Sequence, residues 1–438
     1  MSESVLGLQF NEERFVATLS ALIGEAEHLQ NNPPRHVPQE DRAIAHVRKV
    51  LDPLSDAHGG VLKIRHVSYV AGRGNLLVEY PGTTSKMVSF VGSHLDVVPA
   101  DPTKWSVDPF KLTRDGDKLF GRGATDCLGH VALITDLLAA LGTAKPALKV
   151  GITVVFIASE ENSSVPGIGV DMLEKNGLLA PCKNGPVYWV DSADSKPCIG
   201  TGGVQVWSLK ATGKLFHSGI PQKAINPIEL AMDALNEIQT RFYQDFKAHP
   251  MEKEYNFGAS STMKPTAWSC PEGSLNQIKG EATISGDMRI TPFYPVPAVR
   301  AAVDGYVADI NKKLASFHNA AVHGPFSKYV LPDEKLDGKV EIEWEGDYYS
   351  GIACDMKSPG FKALVDAFTA VTGACEPFSL TGSLPLVREL QEAGFDLQLV
   401  GFGRMSVYHG VNEYCCVSEM KNGFDVLKNI IASLNAIL

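Results

Sequence analysis

Hydrophobic and polar positions along this chain recur with two periods. In "NEERFVATLSALIGEAEHLQ" Phe15, Leu19 and Leu22 fall on one helical face, and "QEDRAIAHVRKVLDPL" repeats that spacing, so both segments predict amphipathic helices. Apolar runs bounded by turn residues predict buried strands at "GNLLVEYPG", "KMVSFVGSHLDVVP", "VGITVVFIASEE" and "PVYWVDSAD". Between them "LGHVALITDLLAAL" and "GVDMLEKNGLL" predict helices. Apolar strands alternating with helices imply an α/β domain whose central sheet is covered on both faces. From about Thr201 the pattern changes. Here "GGVQVWSLKATGKL", "NQIKGEATISGDMRI" and "KVEIEWEGDYYS" read as half-exposed antiparallel strands, with an amphipathic helix expected over 226–242. Helical patterning resumes in "SPGFKALVDAFTAVTG" and closes with "MKNGFDVLKNIIASLNAIL". The expected organisation is a discontinuous domain of residues 1–202 and 355–438, interrupted by an α+β domain at 203–354.

A chain of 438 residues exceeds what one hydrophobic core usually fills, in keeping with two domains. With 44% hydrophobic residues and a mean hydropathy of −0.03 it reads as soluble and globular. The longest apolar runs fall short of the roughly 20 residues that span a bilayer, so no membrane segment is expected. The first residues carry acids and lack the apolar core of a secretion signal, which favours a cytoplasmic enzyme. Eight cysteines without regular spacing read as reduced thiols, with Cys415 and Cys416 a candidate redox-sensitive pair. A net charge of −10 argues against nucleic acid, whose binding needs a basic face, and a small-molecule substrate fits better.

Residues able to do chemistry gather at the ends of the predicted apolar strands, where α/β sheets place ligands. "SFVGSHLDVVP" ends a strand in His94 and Asp96, two positions apart and on one side of an extended chain, a spacing that suits a metal ligand and its supporting carboxylate. "LFGRGATDCLGH" sets Asp126 on a glycine-rich turn before a helix, "VVFIASEENSS" runs an apolar strand into Glu160 and Glu161, and "YWVDSAD" ends in Asp191 and Asp194. Near the C-terminus "MSVYHGVNEY" supplies His409. Taken singly, a strand-end His or Asp is commonly a cap or turn residue, and Asp126 alone is an ordinary candidate for capping the helix that follows. Together, in order, at the ends of successive strands, these hard and borderline ligands fit a zinc or dizinc site. Two adjacent carboxylates directly after a buried strand need a cation, a proton or a partner to be tolerated.

The ordered set "SHLDVVP", "GRGATDCLGH", "ASEEN", "VDSADSKP", "FHSGIPQKAINPIELA", "GDMRI" and "VYHGVNEY" resembles the dizinc amidohydrolase and peptidase family that contains acetylornithine deacetylase, succinyl-diaminopimelate desuccinylase and aminoacylase. The likeness spans nearly the whole chain, and the tail "TGSLPLVRELQEAGFDLQLVGFGRMSVYHGVNEY" resembles the plant-like acetylornithine deacetylase branch. The resemblance implies a zinc-peptidase-like catalytic domain with a central mixed sheet and an inserted dimerisation, or lid, domain. It implies that His94, Asp126 and Asp191 hold one zinc ion and that Asp126, Glu161 and His409 hold the other, with Asp126 bridging and cobalt able to substitute. Asp96 would support His94, and Glu160 would act as general base on the attacking water. His217, in "GKLFHSGIP", would reach the partner subunit's site in a homodimer and stabilise the oxyanion. Asn226 and Arg289 would contact substrate, Arg289 by gripping its α-carboxylate through paired hydrogen bonds. The implied reaction is hydrolysis of an N-acyl amino acid, foremost N2-acetyl-L-ornithine to ornithine and acetate in arginine biosynthesis.

Three departures bear on that expectation. Many relatives carry Met-Lys after the bridging Asp, whereas this chain has Cys127-Leu128. The first-zinc carboxylate is often Glu in deacylases and Asp in aminopeptidase-type members, so Asp191 leaves a dipeptidase or aminopeptidase as the alternative. Asp194, three residues on, competes with Asp191 for the ligand role. A non-catalytic binding protein and a Cys127 nucleophile are the remaining alternatives. The first would not need the complete hydrolytic set, and a thiol beside zinc is more readily its neighbour than the attacking group.

Overall fold

The computed structural model describes residues 5–162, 166–191, 194–384 and 386–438. The chain divides into two units, one of Met1–Ile199, Cys354–Phe378 and Pro385–Leu438, the other of Gly200–Ala353 with Ser379–Leu384.

The first unit is an α/β structure built on a mixed sheet. Six of the eight described strands of this sheet are β1 (Lys63–Val70), β2 (Arg73–Tyr80), β3 (Met87–His94), β4 (Gly151–Ile157), β5 (Pro186–Val190) and β6 (Asp396–Val400), in the order β1-β2-β4-β3-β5-β6. The hairpin β1–β2 and the β2–β4 pair are antiparallel, while β4, β3, β5 and β6 run parallel. Every residue of β4 and β5 is buried, as befits strands covered on both faces. The longer helices are α1 (Glu12–Ile23), α2 (Glu40–Leu51), α3 (Leu128–Ala144), α4 (Pro359–Thr372) and α5 (Val417–Ile437). In α1 the side chain of Asn11 accepts from Arg14 N and acids fill the first turn, so this helix start is capped and matched to its dipole. Helix α3 is apolar nearly all round and buried along most of its length, and its N-terminus follows the glycine-rich turn that carries Asp126. A bidentate pair between Glu40 at the start of α2 and Arg73 of β2, at 2.6 and 2.7 Å, is buried beside the hairpin.

Because β4, β3, β5 and β6 are parallel, their carboxyl ends open on one edge of the sheet. The loops leaving them begin at Leu95, Ala158, Asp191 and Gly401. Strand β6 is absent from the apolar pattern expected above, as is the helix Val296–Lys312 of the second unit; the strand has five residues, too few for periodicity to read well.

The second unit is a four-stranded antiparallel sheet in the order Thr262–Ser269, Glu281–Ile290, Gly203–Thr212, Lys339–Tyr349. In Glu281–Ile290 buried and half-buried positions alternate, so one face meets the core and the other is more open. That core joins Trp207, Leu209, Ile284 and Met288 of the sheet to Leu230 and Ile238 of the helix Pro227–Asp245 and Val299 and Val303 of Val296–Lys312. The chain enters and leaves this unit side by side: Gly200 bridges Ala353, and Thr201 N donates to Ile352 O at 2.9 Å. Residues 379–384, which the sequence assigns to the resumed first domain, join the second unit. Leu380 N donates to Gly200 O at 2.9 Å and Gly202 N to Gly382 O at 2.8 Å.

Candidate metal centre

Each ligand-type residue is delivered by a distinct local device. At the end of β3 the register slips between Val91 and His94. Gly92 makes this possible: its φ of +97° is a left-handed conformation, and a Cβ there would lie 2.4 Å from the Trp189 ring on β5. Such bulges re-aim the side chains that follow. His94 emerges fully buried, its Nδ1 hydrogen-bonded to the backbone oxygen of Asp96 at 2.9 Å. That bond fixes the ring with Nε2 presented to its neighbours.

After β4, Ser159 adopts a φ of +60° and breaks the strand, so that the adjacent Glu160 and Glu161 no longer diverge to opposite faces. Asp96 sets this turn. Its Oδ1 accepts from Glu160 N at 3.1 Å and its Oδ2 from Glu161 N at 3.0 Å, while Asn31 Nδ2 donates to Oδ2 at 2.7 Å. Asp96 therefore supports His94 through its carbonyl and, with Oδ1 3.5 Å from Nδ1, its carboxylate, which also holds the glutamate pair. Asn31 was not anticipated, since nothing in its helix-and-turn surroundings marks a lone Asn as a partner of a residue on a distant strand.

His94 Nε2 lies 3.0 Å from Asp126 Oδ1, 3.6 Å from Asp191 Oδ1 and 3.7 Å from Glu160 Oε2. His409 Nε2 lies 3.1 Å from Asp126 Oδ2 and 3.1 Å from Glu161 Oε2. Asp126 thus turns one oxygen toward each imidazole. Asp191 is held by Trp189 Nε1, which donates to its Oδ2 at 3.3 Å. Asp194 instead accepts from Met405 N at 2.9 Å through Oδ1, so of the two candidates Asp191 is the one beside His94. Cys127 is buried, and its Sγ lies within 4.8 Å of ligand atoms of His94 and Asp191, while also donating to Val190 O at 3.7 Å. No disulfide joins any of the eight cysteines.

Crowding shows in the protonation of these groups. Burial, reinforced by the charges of Asp191, Glu161 and Asp126, raises the Glu160 carboxyl well above the usual range against the pull of His94. Burial and then Asp126 push Glu161 up to about 7. Hydrogen bonds donated to Asp126 and Glu161 raise His409 to about 10. Burial penalises the charged form of Asp126, yet hydrogen bonds from His409 and His94 outweigh it and hold that carboxyl below its ordinary value. Four carboxylates and the His94 imidazole crowd together below the surface, with the more exposed His409 imidazole at their rim, and all can be accommodated only with protons or cations between them. Nitrogen and oxygen ligands 2.0–2.1 Å from a tetrahedral zinc ion lie about 3.3 Å apart. The 3.0–3.6 Å separations among His94, Asp126, Asp191, Glu161 and His409 are of that order, and the donor set suits zinc or cobalt.

Two further buried groups surround the centre. His130, in the first turn of α3, accepts from Phe402 N at 2.7 Å through Nε2, and burial lowers it to about 4, so it stays a neutral tether between α3 and the loop after β6. Glu413, four residues beyond His409, is fully buried against the glycine-rich turn.

The remaining residues singled out on sequence stand in the second unit. His217 pairs with Gln277 at a strand end, is exposed, and accepts from Gly219 N at 3.0 Å through Nδ1. Asn226 caps the helix Pro227–Asp245, its Oδ1 accepting from Ile228 N at 3.1 Å. Arg289 donates from Nε to Asp287 Oδ2 at 2.7 Å on its own strand. Among the described residues no helix is long and apolar enough to cross a membrane.

Comparison with known proteins bears on the chain as a whole. It is 54% identical over 429 residues to an acetylornithine deacetylase of Arabidopsis thaliana, covering 98% of this chain and 97% of that protein. It is 52% identical over 444 residues to an acetylornithine deacetylase of Dictyostelium discoideum, covering 98% and 99%. The fold is that of the dipeptidase Dug1p from Saccharomyces cerevisiae, with a TM-score of 0.67 at 18% identity over 99% of this chain and 98% of that one. Residues 90–433, which include every ligand-type side chain of the centre, match the model of peptidase family M20/M25/M40, and the chain belongs to that family.

Proposed function

We propose that this protein is a metal-dependent amidohydrolase that releases acetate from N2-acetyl-L-ornithine. The observation that carries the substrate is the full-length likeness to two acetylornithine deacetylases. In this reading His94, Asp126 and Asp191 hold one zinc ion and Asp126, Glu161 and His409 a second, a division supported by the two faces of the Asp126 carboxylate. When bound, such a pair of ions polarises an amide carbonyl and lowers the pKa of water. The protein's own work is proton transfer and orientation. Glu160, kept receptive to protons by its surroundings, takes a proton from the attacking water and delivers it to the leaving nitrogen. A C–O bond forms to the carbonyl carbon, the C–N bond then breaks with the transferred proton on nitrogen, and the products are acetate and the free amine. Asp96 keeps Glu160 and Glu161 from changing places by holding both backbone N–H groups. We assign His217 to oxyanion stabilisation in a partner subunit's site, Arg289 to the substrate α-carboxylate and Asn226 to the substrate-binding surface, within a cytoplasmic homodimer.

The test is a competition assay of zinc-loaded protein on N2-acetylornithine, N-acetylmethionine, N-succinyl-diaminopimelate and a dipeptide panel. Preferred turnover of N2-acetylornithine is expected, and hydrolysis of dipeptides alone would replace this reading with a dipeptidase. Glu160→Gln is expected to retain fold and metal while losing rate by about 10²–10⁴-fold. Glu161→Gln is expected to lose metal first. Metal content measured on the two variants distinguishes base from ligand, and loss of metal from Glu160→Gln would reverse the assignment.

A further inference from the structure

Glu413 is fully buried, and its carboxylate binds the turn that carries Asp126. Its Oε2 accepts from Arg122 Nη1 at 2.7 Å and from Gly123 N at 3.0 Å. Its Oε1 accepts from Thr125 N at 2.8 Å and from Asp126 N at 2.9 Å. Around it, Gly121 N donates to the Glu413 backbone oxygen at 3.0 Å and Thr125 Oγ1 to Tyr414 O at 2.6 Å. Residues 121–126 are thus wrapped round one carboxylate as a loop wraps an anion, with the N–H groups of Gly123, Thr125 and Asp126 turned inward to it.

Arg122, its partner, is equally buried and lies against the Trp105 ring at 5.2 Å. Its other terminal nitrogen, Nη2, donates to Gly410 O at 3.3 Å and reaches His409 O at 3.5 Å. His409 has a φ of +52°, a left-handed conformation that a non-glycine residue keeps only where its surroundings impose it. A buried ion pair that served stability alone would need only its own two members satisfied. Here both members direct their remaining hydrogen bonds to the two loops that present Asp126 and His409.

We propose that the Arg122–Glu413 pair is a positioning device that sets Asp126 and His409 at the separation an ion requires. This inference rests on the metal-centre reading above. Partners of this kind behind metal ligands change affinity by about 10–100-fold when altered. The experiment titrates zinc, against a competing chromophoric chelator, into metal-free wild type, Glu413→Gln and Arg122→Lys. Circular dichroism and thermal midpoints of the same metal-free samples report the fold. Glu413→Gln keeps the shape but sets an amide N–H against backbone donors; Arg122→Lys keeps the charge but loses the fork. The expected result is folded variants in which at least one ion binds 10–100-fold more weakly than in wild type. Folded variants with wild-type affinity for both ions would overturn the proposal. So would two variants that cannot fold even with zinc present, since the pair would then be purely structural. Should only Glu413→Gln fail to fold, Arg122→Lys decides by the same comparison. Wild-type protein that binds no zinc would refute the metal-centre reading instead.

Discussion

A single imidazole illustrates how the centre is prepared for a cation. His409 is raised to about 10 because its Nε2 lies beside the Asp126 and Glu161 carboxylates, so at neutral pH an imidazolium occupies the place that the proposed function gives to a ligand. A histidine ligates only when neutral, so on the proposed assignment metal uptake expels that proton. Calorimetric zinc binding in two buffers of different ionisation enthalpy is expected to show net proton release at pH 7, with affinity rising as pH rises toward 10. Binding without proton release would contradict this arrangement. The linkage sign for the metal-free fold follows from the same shift: stability contributed by His409 is complete below about 6.5, the ordinary histidine value, and is lost as pH climbs through about 10. At this scale the sequence was informative about ligand-type residues and silent about those behind them. His94, Glu161 and Asp191 stand out because charged groups are unusual directly after buried apolar strands, and Asp126 and His409 because of the motifs "GRGATDCLGH" and "VYHGVNEY" around them. Asn31, Arg122 and Glu413 carry no such mark, since their partners lie far along the chain and hydrogen bonding has no sequence period.

Among the elements, the end of β3 shows how a strand is fitted to its load. The left-handed Gly92, packed against Trp189, lets the chain slip register just before His94. Gly92→Ala combines an unfavourable backbone conformation with a clash in a close-packed place, and is expected to destabilise by about 2–5 kcal/mol. Denaturant unfolding of metal-free protein measures that loss; a change below about 0.5 kcal/mol, the size of a neutral surface substitution, would mean that the bulge relaxes freely. The glycine itself was visible in "SFVGSHLDVVP", but its role depends on an indole contributed by β5, and a contact between strands so distant in sequence is not encoded in either segment alone. The apolar strands β3, β4 and β5 were legible for the opposite reason: burial on both faces leaves a continuous hydrophobic run. Strand β6 has only five residues and two polar ones among them, Asp396 and Gln398, which hides it in a helix-turn context.

For the whole molecule, the proposed homodimer makes a prediction that neither unit makes alone. If His217 serves a partner's centre, mixing His217→Ala with Glu160→Gln gives heterodimers with one doubly altered site and one intact site. With free exchange half the dimers are mixed, so about a quarter of wild-type activity should return. A mixture that stays inactive although mass analysis finds heterodimers would confine His217 to its own chain or deny it a role. The change of texture near Thr201 made an inserted unit legible, whereas the allegiance of 379–384 was not, because it depends on backbone hydrogen bonds to Gly200 and Gly202 rather than on any local pattern. The side-by-side passage of the chain at Gly200 and Ala353 also bears on how the protein is made. The first unit must unite segments that the second separates by about 150 residues, and closing a flexible loop of that length rather than one of about five residues costs roughly 3 kcal/mol more in chain entropy. Once the second unit has folded, its adjacent ends act as a short turn. A ribosome delivers Gly200 to Ala353 before Pro359–Thr372, β6 and the His409 loop exist, so the order of synthesis lets the inserted unit fold first and hand the late segments to a sheet already waiting for them.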